Sequence, residues 1–336
     1  MLDFKTLQKY DSKRMYEIYD EWPKIAKEAY NSHYEIPDFK DIEHIVFAGM
    51  GGSGTIGDVF FSLLSKSKIH VNVVKGFLLP TTINSNTLVV TTSISGNTLE
   101  TLSVLDSARK IGCKMIAFSS GGKMEKYCNK QKIEYRKIPA LHSPRESFTK
   151  FTYSILKVLE PSLAIKNVDI VDSIKKLKMV GRQISSYNLT ETNPALKLAQ
   201  WISGIPVIYY PCGLYAAATR FKNSLQENSK IHAMIEDVVE GCHNGIVAWE
   251  KRSNVQPILL RGQDDHVTTK KRWKIFKEYF KKNNIDYSDI VSIEGSILTK
   301  IINLIYLLDY STIYHAVLSG VDPFPVNSIH FIKKRL

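Results

Sequence analysis

Short strand patterns alternate with amphipathic segments of helical length over the first half of the chain. Strands are predicted at Ile45–Ala48, Val71–Val74, Thr87–Thr91, Met115–Phe118 and Glu134–Lys137. Between them, the spacing of apolar residues predicts helices at Ile56–Ser65, Thr98–Ile111 and Met124–Lys130. Such alternation is typical of a parallel sheet that is covered by helices on both faces.

The alternation restarts in the second half, after connecting helices predicted at Phe148–Leu159 and Asp169–Ser186. Further strands are predicted at Ile205–Tyr210, Ile246–Trp249, Pro257–Arg261 and Asp289–Ile293. Further helices are predicted within residues 1–35 and at Pro194–Ile202, Leu214–Gln226, Arg272–Asn283, Leu298–Ser319 and Val326–Leu336. The sequence therefore predicts an α/β protein of two similar domains, residues 1–153 and 154–336, each a parallel sheet flanked by helices on both faces.

The charge of the chain bears on its partners. The 336 residues carry a formal net charge of +12. The lysines lie along amphipathic segments such as Lys270–Lys282, which favours solvated helix faces over a nucleic-acid surface and adds some attraction for anionic substrates.

The apolar stretch Ile301–Leu308 is interrupted by Asn303 and is far shorter than the ~20 residues of a membrane span. The beginning, Met1–Lys5, does not resemble a signal peptide, and we expect a cytoplasmic protein that binds neither nucleic acid nor membrane.

The cysteines and histidines give no metal-binding pattern. The four cysteines form no Cys-x-x-Cys pair, which argues against a zinc or redox motif and favours reduced, structural thiols. We therefore expect no metal and no cofactor.

Two turns that are rich in glycine and hydroxyl groups each follow a predicted strand. They are Gly49–Gly54 and Ser93–Thr98. Glycine lets the backbone approach a ligand closely, and free amides at the start of a helix favour an anion. The P-loop lysine is missing, and the strand ending at Val74–Gly76 lacks the acidic residue that binds a dinucleotide ribose. The pattern therefore favours a phosphate monoester on a small organic molecule.

Four other residues are candidates for chemistry, although each also has an ordinary interpretation. Glu227 is a candidate general base or a surface glutamate. His243 could move a proton near neutral pH, or it could be a loop histidine without a role. Lys333 lies in a basic terminal run of the kind that commonly ends a solvated helix. Arg145 could stabilise an oxyanion, or it could form a surface ion pair.

In combination, these motifs resemble the sugar-isomerase (SIS) superfamily, and within it the bifunctional phosphoglucose/phosphomannose isomerases. The resemblance covers essentially the full length. It rests on the ordered set Gly49–Gly54, Ser95–Thr101, Pro144–Arg145, Arg220–Lys230, Glu240–Asn244, Asp322–Pro323 and Ile332–Lys333. Four positions depart from the family pattern: Gln226, Ser229 in place of a typical alanine, Gly245 in place of a frequent acidic residue, and Phe324.

The resemblance implies a function and a role for each site residue. It implies a homodimeric isomerase of glucose 6-phosphate and fructose 6-phosphate, and of mannose 6-phosphate as a further substrate. The implied phosphate ligands are Gly52, Ser53, Ser93, Ser95 and Thr98. Glu227 is then the base, His243 and Lys333 open the sugar ring, and Arg145 lies beside the enediolate. His243 is expected to reach the site of the neighbouring subunit.

Two alternatives stay open from the sequence. One is amino-sugar phosphate isomerisation, although the N-terminal glutaminase of such synthases, with its terminal cysteine, has no counterpart before Cys113. The other is a non-catalytic sugar-phosphate-binding regulator. Such regulators carry a helix-turn-helix module ahead of the sugar domain, for which residues 1–35 are too short.

Overall fold

The computed structural model describes residues 2–163 and 165–336. The chain forms two compact units. The first-sheet unit comprises Trp22–Lys175 and Ser296–Leu298. The second-sheet unit comprises the chain up to Glu21, Lys176–Gly295 and Thr299–Leu336. The position predicted to divide the domains, between residues 153 and 154, lies within the helix Pro144–Leu163, and the compact units have boundaries after residues 21, 175, 295 and 298.

The elements are numbered along the chain. The first part contains α1 (Phe4–Tyr10), α2 (Met15–Asp20), α3 (Trp22–Asn31), β1 (His44–Ala48), α4 (Gly52–Leu64), β2 (His70–Val74), β3 (Thr87–Ser93), α5 (Leu99–Ile111), β4 (Lys114–Ser119), α6 (Gly122–Gln131), β5 (Glu134–Lys137), α7 (Pro144–Leu163) and α8 (Asn167–Ile184). The second part contains α9 (Pro194–Trp201), β6 (Ile205–Tyr210), α10 (Tyr215–Ser224), β7 (Met234–Asp237), α11 (Val238–Gly241), β8 (Val255–Arg261), α12 (Val267–Lys282), β9 (Ser288–Val291), α13 (Ile297–Leu318) and α14 (Asn327–Lys333).

The described strands of the first-sheet unit form a parallel sheet in the order β2-β1-β3-β4-β5. Every residue of β1 and β3 is buried, as expected for strands covered on both faces. Glycine ends α5, because Gly112 adopts φ +82° and its amide donates to the carbonyl of Ala108. These features confirm the predicted parallel α/β architecture of this unit.

The second-sheet unit has a parallel sheet in the order β7-β6-β8-β9. The order repeats the first four positions of the other sheet, because in both units the first strand in sequence lies between the second and the third. An apolar cluster packs α12 on this sheet through Trp273, Phe276 and Phe280, with Tyr209 and Leu259 opposite. The prediction of two similar halves is therefore confirmed at the level of topology.

One predicted strand of the second half is wrong, and one strand was missed. Residues Gly245–Glu250 form a 3₁₀ helix where a strand was predicted at Ile246–Trp249. Ile246 and Trp249 are apolar because they pack against the cluster around α12. The true edge strand is β7, whose four residues are all at least partly exposed and therefore show no apolar run.

Helix α13 confirms the helix predicted at Leu298–Ser319, shifted by one residue, and it is apolar over most of its length. Its 22 residues meet the length and composition of a membrane span, whereas the prediction treated Ile301–Leu308 as too short. Within the protein, 89% of its most apolar window is buried. Its own buried residues, including Ile301, Tyr306 and Tyr314, lie on every side of the helix, which is the pattern of a core helix.

Candidate active site

The two predicted phosphate turns follow neighbouring strands of the first sheet. β1 pairs with β3 in parallel, with Ala48 opposite Thr91, so both strands point to the same edge of the sheet. The chain leaves β1 for β2 on one side and continues from β3 to β4 on the other side. This position is the topological switch point, where open α/β sheets bind their ligands.

The first turn presents the start of α4. The hydrogen bonds of the helix begin at the Ser53 amide, which donates to the Met50 carbonyl at 3.1 Å. The amides ahead of it, including that of Gly52, are those that a helix leaves for an anion. Glycine is required by close packing here, because a Cβ atom at Gly54 would lie 2.8 Å from the Gly49 carbonyl oxygen.

The second turn brings two of the predicted ligands into contact. The Ser93 hydroxyl, at the buried end of β3, donates to the Thr98 hydroxyl at 2.9 Å. Thr98 occupies the N-cap of α5, yet its side chain caps no amide of that helix. Ser95 is exposed, and its hydroxyl accepts a bond from the Asn97 amide at 3.3 Å. Gly96 allows the turn by its φ of +67°, and a Cβ atom there would overlap the Gly121 carbonyl.

A lysine that was not predicted lies beside the first turn. The side chain of Lys75 follows β2, and its Cε is 3.2 Å from where a Cβ of Gly54 would be. Its ammonium is 2.6 Å from the Asp58 carboxylate on α4. Burial raises the pKa of Asp58, and the charge of Lys75 opposes that rise. The pair ties α4 to the end of β2. In the sequence, Lys75 lies within Val74–Gly76, directly after a predicted strand, which is the local signal for a residue at this edge of the sheet.

The first-sheet unit also carries Arg145. It is the second residue of α7 and is 5% exposed, so it is a buried cation and does not have the surface position of the ordinary interpretation. A charge is retained in such a position when it is paired or has a functional partner.

Glu227, predicted as the base, lies in a π-helical turn, Leu225–Ser229, that continues α10. Such turns are rare in proteins, and those that occur are often found at functional sites. Glu227 itself is partly exposed, while Asn228 and Ser229 beside it are buried. Lys230 closes the turn with φ +58°, and its ammonium bonds the carbonyls of Glu227 and Pro323. The turn is thereby joined to the Asp322–Pro323 segment.

His243 and Lys333, the predicted ring-opening residues, are both exposed. His243 lies in the turn after α11 and precedes a 3₁₀ helix. The turn is fixed locally, because the amide of the Asn244 side chain donates to Glu240 at 2.9 Å. At Gly245, a Cβ atom would overlap the carboxylate of Glu236, which fills the space that an acidic side chain would need. Lys333 is the last residue of α14.

Comparisons with known proteins give the fold and the family of the chain. A family profile described as the bacterial phospho-glucose isomerase C-terminal SIS domain matches residues 191–336. The crystal structure of a hypothetical protein from Thermus thermophilus has the same fold, with a TM-score of 0.76, 14% sequence identity, and coverage of 98% of this chain and 92% of that one. The chain therefore has the fold of that protein, and its C-terminal part matches an SIS domain.

Relatives identify the family of the chain. A bifunctional phosphoglucose/phosphomannose isomerase from Caldicellulosiruptor bescii is 33% identical over 88% of this chain and 90% of its own length. A D-glucosamine-6-phosphate 4-epimerase from Sulfolobus acidocaldarius is 28% identical over 73% of this chain and 77% of its own length. The chain belongs to the bifunctional phosphoglucose/phosphomannose isomerase family, and it is an isomerase.

Proposed function

We propose that this enzyme interconverts glucose 6-phosphate and fructose 6-phosphate, and likewise mannose 6-phosphate and fructose 6-phosphate. The observation that carries the proposal is the contact of the Ser93 and Thr98 hydroxyls at the switch point of the first sheet. The family to which the chain belongs is named for isomerases of such sugar phosphates. Neutral donors at a helix N-terminus suit a phosphate monoester.

The proposed phosphate ligands are the amide of Gly52 and the hydroxyls of Ser53, Ser93, Ser95 and Thr98. Ser93 and Thr98 already share a hydrogen bond, so a phosphate oxygen would replace or extend an existing polar contact. The Ser95 hydroxyl is exposed and can rotate away from the Asn97 amide toward the ligand. Hydrogen bonds from these groups to a dianion are charge-assisted and strong.

The proposed chemistry is a proton transfer between neighbouring carbons. His243 and Lys333 exchange protons with the ring oxygen and the hydroxyl at the reacting carbon, which opens the sugar. Glu227 then removes the proton on C2, and the electrons move into a C1–C2 double bond and onto the C1 oxygen, which gives the enediolate. The proton of the C2 hydroxyl passes to the C1 oxygen, and Glu227 delivers a proton to C1 as the C2 carbonyl forms, which gives the ketose. Arg145 offsets the charge of the enediolate. No step of this scheme uses a metal or cofactor.

We also propose a homodimer in the cytoplasm, in which His243 enters the site of the neighbouring subunit. The exposure of His243 on a rigid turn supports this assignment, because a side chain that completes a partner's site must be available on the surface of its own subunit. All four cysteines are free thiols, which suits a reducing compartment.

The test is an assay of the purified chain with three sugar phosphates. Glucose 6-phosphate and mannose 6-phosphate should both be converted to fructose 6-phosphate, which is detected by NMR. Glucosamine 6-phosphate is the comparison substrate, because one relative is named as its 4-epimerase. Turnover of glucosamine 6-phosphate without turnover of glucose 6-phosphate or mannose 6-phosphate would contradict the proposed substrates.

A further inference from the structure

We infer that Thr312 of α13 is a positioning residue for Glu227, which it holds through the two residues that follow the base. This inference rests on the proposed role of Glu227. Thr312 itself does not touch a reacting atom. It acts by fixing the turn from which the carboxylate extends.

The turn needs support because of its backbone. The Lys230 amide donates to the Leu225 carbonyl, five residues earlier, so the turn contains one residue more than an α-helical turn. A π turn interrupts the regular hydrogen-bond ladder, and it persists where tertiary contacts fix it. Glu227 lies in the middle of this segment, so any shift of the turn moves the carboxylate.

Thr312 supplies those contacts on the buried side. The side-chain amide of Asn228 donates to the Thr312 hydroxyl at 2.7 Å. The Ser229 hydroxyl donates to the Thr312 carbonyl at 2.9 Å. Asn228 is fully buried and Ser229 is 3% exposed, so water does not compete for either bond. The hydroxyl at position 229, where alanine is typical, therefore adds a second bond between the turn and the same residue of α13.

Asp309, one turn earlier on α13, anchors the helix that leads to Glu227. Its buried carboxylate accepts bonds from Arg220 Nε at 2.9 Å, from Arg220 Nη2 at 2.7 Å and from the Ser224 hydroxyl at 2.7 Å. Burial lowers the pKa of Arg220, but the charge and hydrogen bonds of Asp309, together with the charges of Tyr19 and Glu227, outweigh burial and raise that pKa. The ion pair therefore stands within electrostatic reach of the base.

The positions of Asp309 and Thr312 explain how α13 fixes the position of the Glu227 carboxylate. Residues 309 and 312 lie one turn apart on the same face of α13. Thr312 also donates its hydroxyl proton to the Asp309 carbonyl at 2.7 Å, so its oxygen is oriented to accept from Asn228. Asp309 fixes α10, and Thr312 fixes the π turn that follows. Together they leave Glu227 little freedom to move along or around the helix axis.

The first experiment compares three single variants of the full chain. Thr312→Val keeps the branched shape but removes the acceptor for Asn228, and kcat should fall about 10-fold to 100-fold, the scale of a small misplacement of a catalytic group. KM for fructose 6-phosphate should stay within about threefold, because the phosphate contacts are unchanged. Thr312→Ser restores the hydroxyl and should restore kcat to within about threefold. Ser311→Ala is the matched control, because Ser311 is buried on the same helix and its hydroxyl donates to the Leu308 carbonyl of that helix.

The second experiment places Thr312→Val in a Glu227→Gln background. If Thr312 acts through Glu227, the substitution Thr312→Val should lower the kcat of the Glu227→Gln enzyme by less than about twofold, because the effects of the two substitutions are then not additive. An equal loss in both backgrounds, or a Thr312→Val enzyme with normal kcat, would overturn the inference while leaving Glu227 as the base. Normal kcat in Glu227→Gln alone would instead overturn the proposed base, and the inference with it. Thermal unfolding of each variant verifies that the kinetics report folded protein.

Discussion

At the scale of single residues, the hydroxyls of Ser93 and Thr98 are predicted to set the affinity for phosphate. The double variant Ser93→Ala/Thr98→Val removes two donors, each worth roughly 1.5–3 kcal/mol toward a charged ligand. KM for fructose 6-phosphate should rise by at least about 100-fold, with a smaller change in kcat. Thr91→Val is the control, because that hydroxyl lies in the same strand but points to the Ile116 carbonyl. A KM like that of the control would exclude both residues from the phosphate site.

His315, a buried residue of α13, should make stability depend on pH. Burial lowers the pKa of His315 below its ordinary 6.5. The unfolded chain therefore binds a proton at a higher pH than the folded chain does, and the contribution of His315 to stability is full above about pH 6.5 and is lost as pH falls below it. The melting temperatures of wild type and His315→Gln should converge between pH 7.5 and 5.5. A difference that is constant over this range would contradict the predicted shift.

At the scale of elements, the first turn of α4 is predicted to tolerate no side chain at Gly54. Gly54→Ala would bring a methyl group against the Gly49 carbonyl and the Lys75 side chain. Overpacking of this kind costs about 1–3 kcal/mol. The melting temperature should fall and KM should rise, because the same turn binds the phosphate. Gly76→Ala, which meets nothing within 4 Å, is the matched control. Equal behaviour of the two variants would mean that the turn is not closely packed.

The elements also show what the sequence could and could not predict. Fully buried strands such as β1 and β3 were visible because each contains a continuous apolar run, Ile45–Ala48 or Leu88–Val90, and leads into a turn that is rich in glycine and serine. The edge strand β7 was not, because a half-exposed strand of four residues has no apolar run. The 3₁₀ helix at Gly245–Glu250 carries apolar residues for packing on α12, which a short window cannot distinguish from a strand.

The site was predictable to a different extent in its two halves. The phosphate turns have local signatures, since glycines and hydroxyls follow strands directly. The contacts that fix the turn of Glu227 have no local sequence signature, because Asn228 and Thr312 are 84 positions apart and meet only in the folded chain. The π turn likewise depends on tertiary contacts and leaves no mark in the periodicity of α10. Lys75 was adjacent to a recognised motif, but its closeness to Gly54 follows from the pairing of β1 with β2.

At the scale of the whole molecule, the proposed sharing of His243 predicts complementation between subunits. Glu227→Gln and His243→Ala should each have only a small residual activity as homodimers, since each lacks one required group. A mixed dimer would contain one site with both groups intact, so mixing the two variants should restore up to about a quarter of wild-type activity if subunits pair at random. Size-exclusion chromatography and subunit exchange of tagged chains are the controls. Absence of recovery, when exchange is demonstrated, would mean that each subunit builds its own site.

The central claim is that Glu227 moves a proton between C1 and C2 of a sugar phosphate, and proton exchange with solvent tests it most directly. Fructose 6-phosphate is incubated with the enzyme in D₂O, and deuterium in the products is followed by NMR. Wild type should form aldose phosphates that carry deuterium at C2. Glu227→Gln should lose both product formation and deuterium incorporation by about 10²–10⁴-fold, the contribution of a positioned acid–base group. Deuterium incorporation by Glu227→Gln at the wild-type rate would contradict the account. So would a wild-type enzyme that forms aldose phosphates without any deuterium at C2.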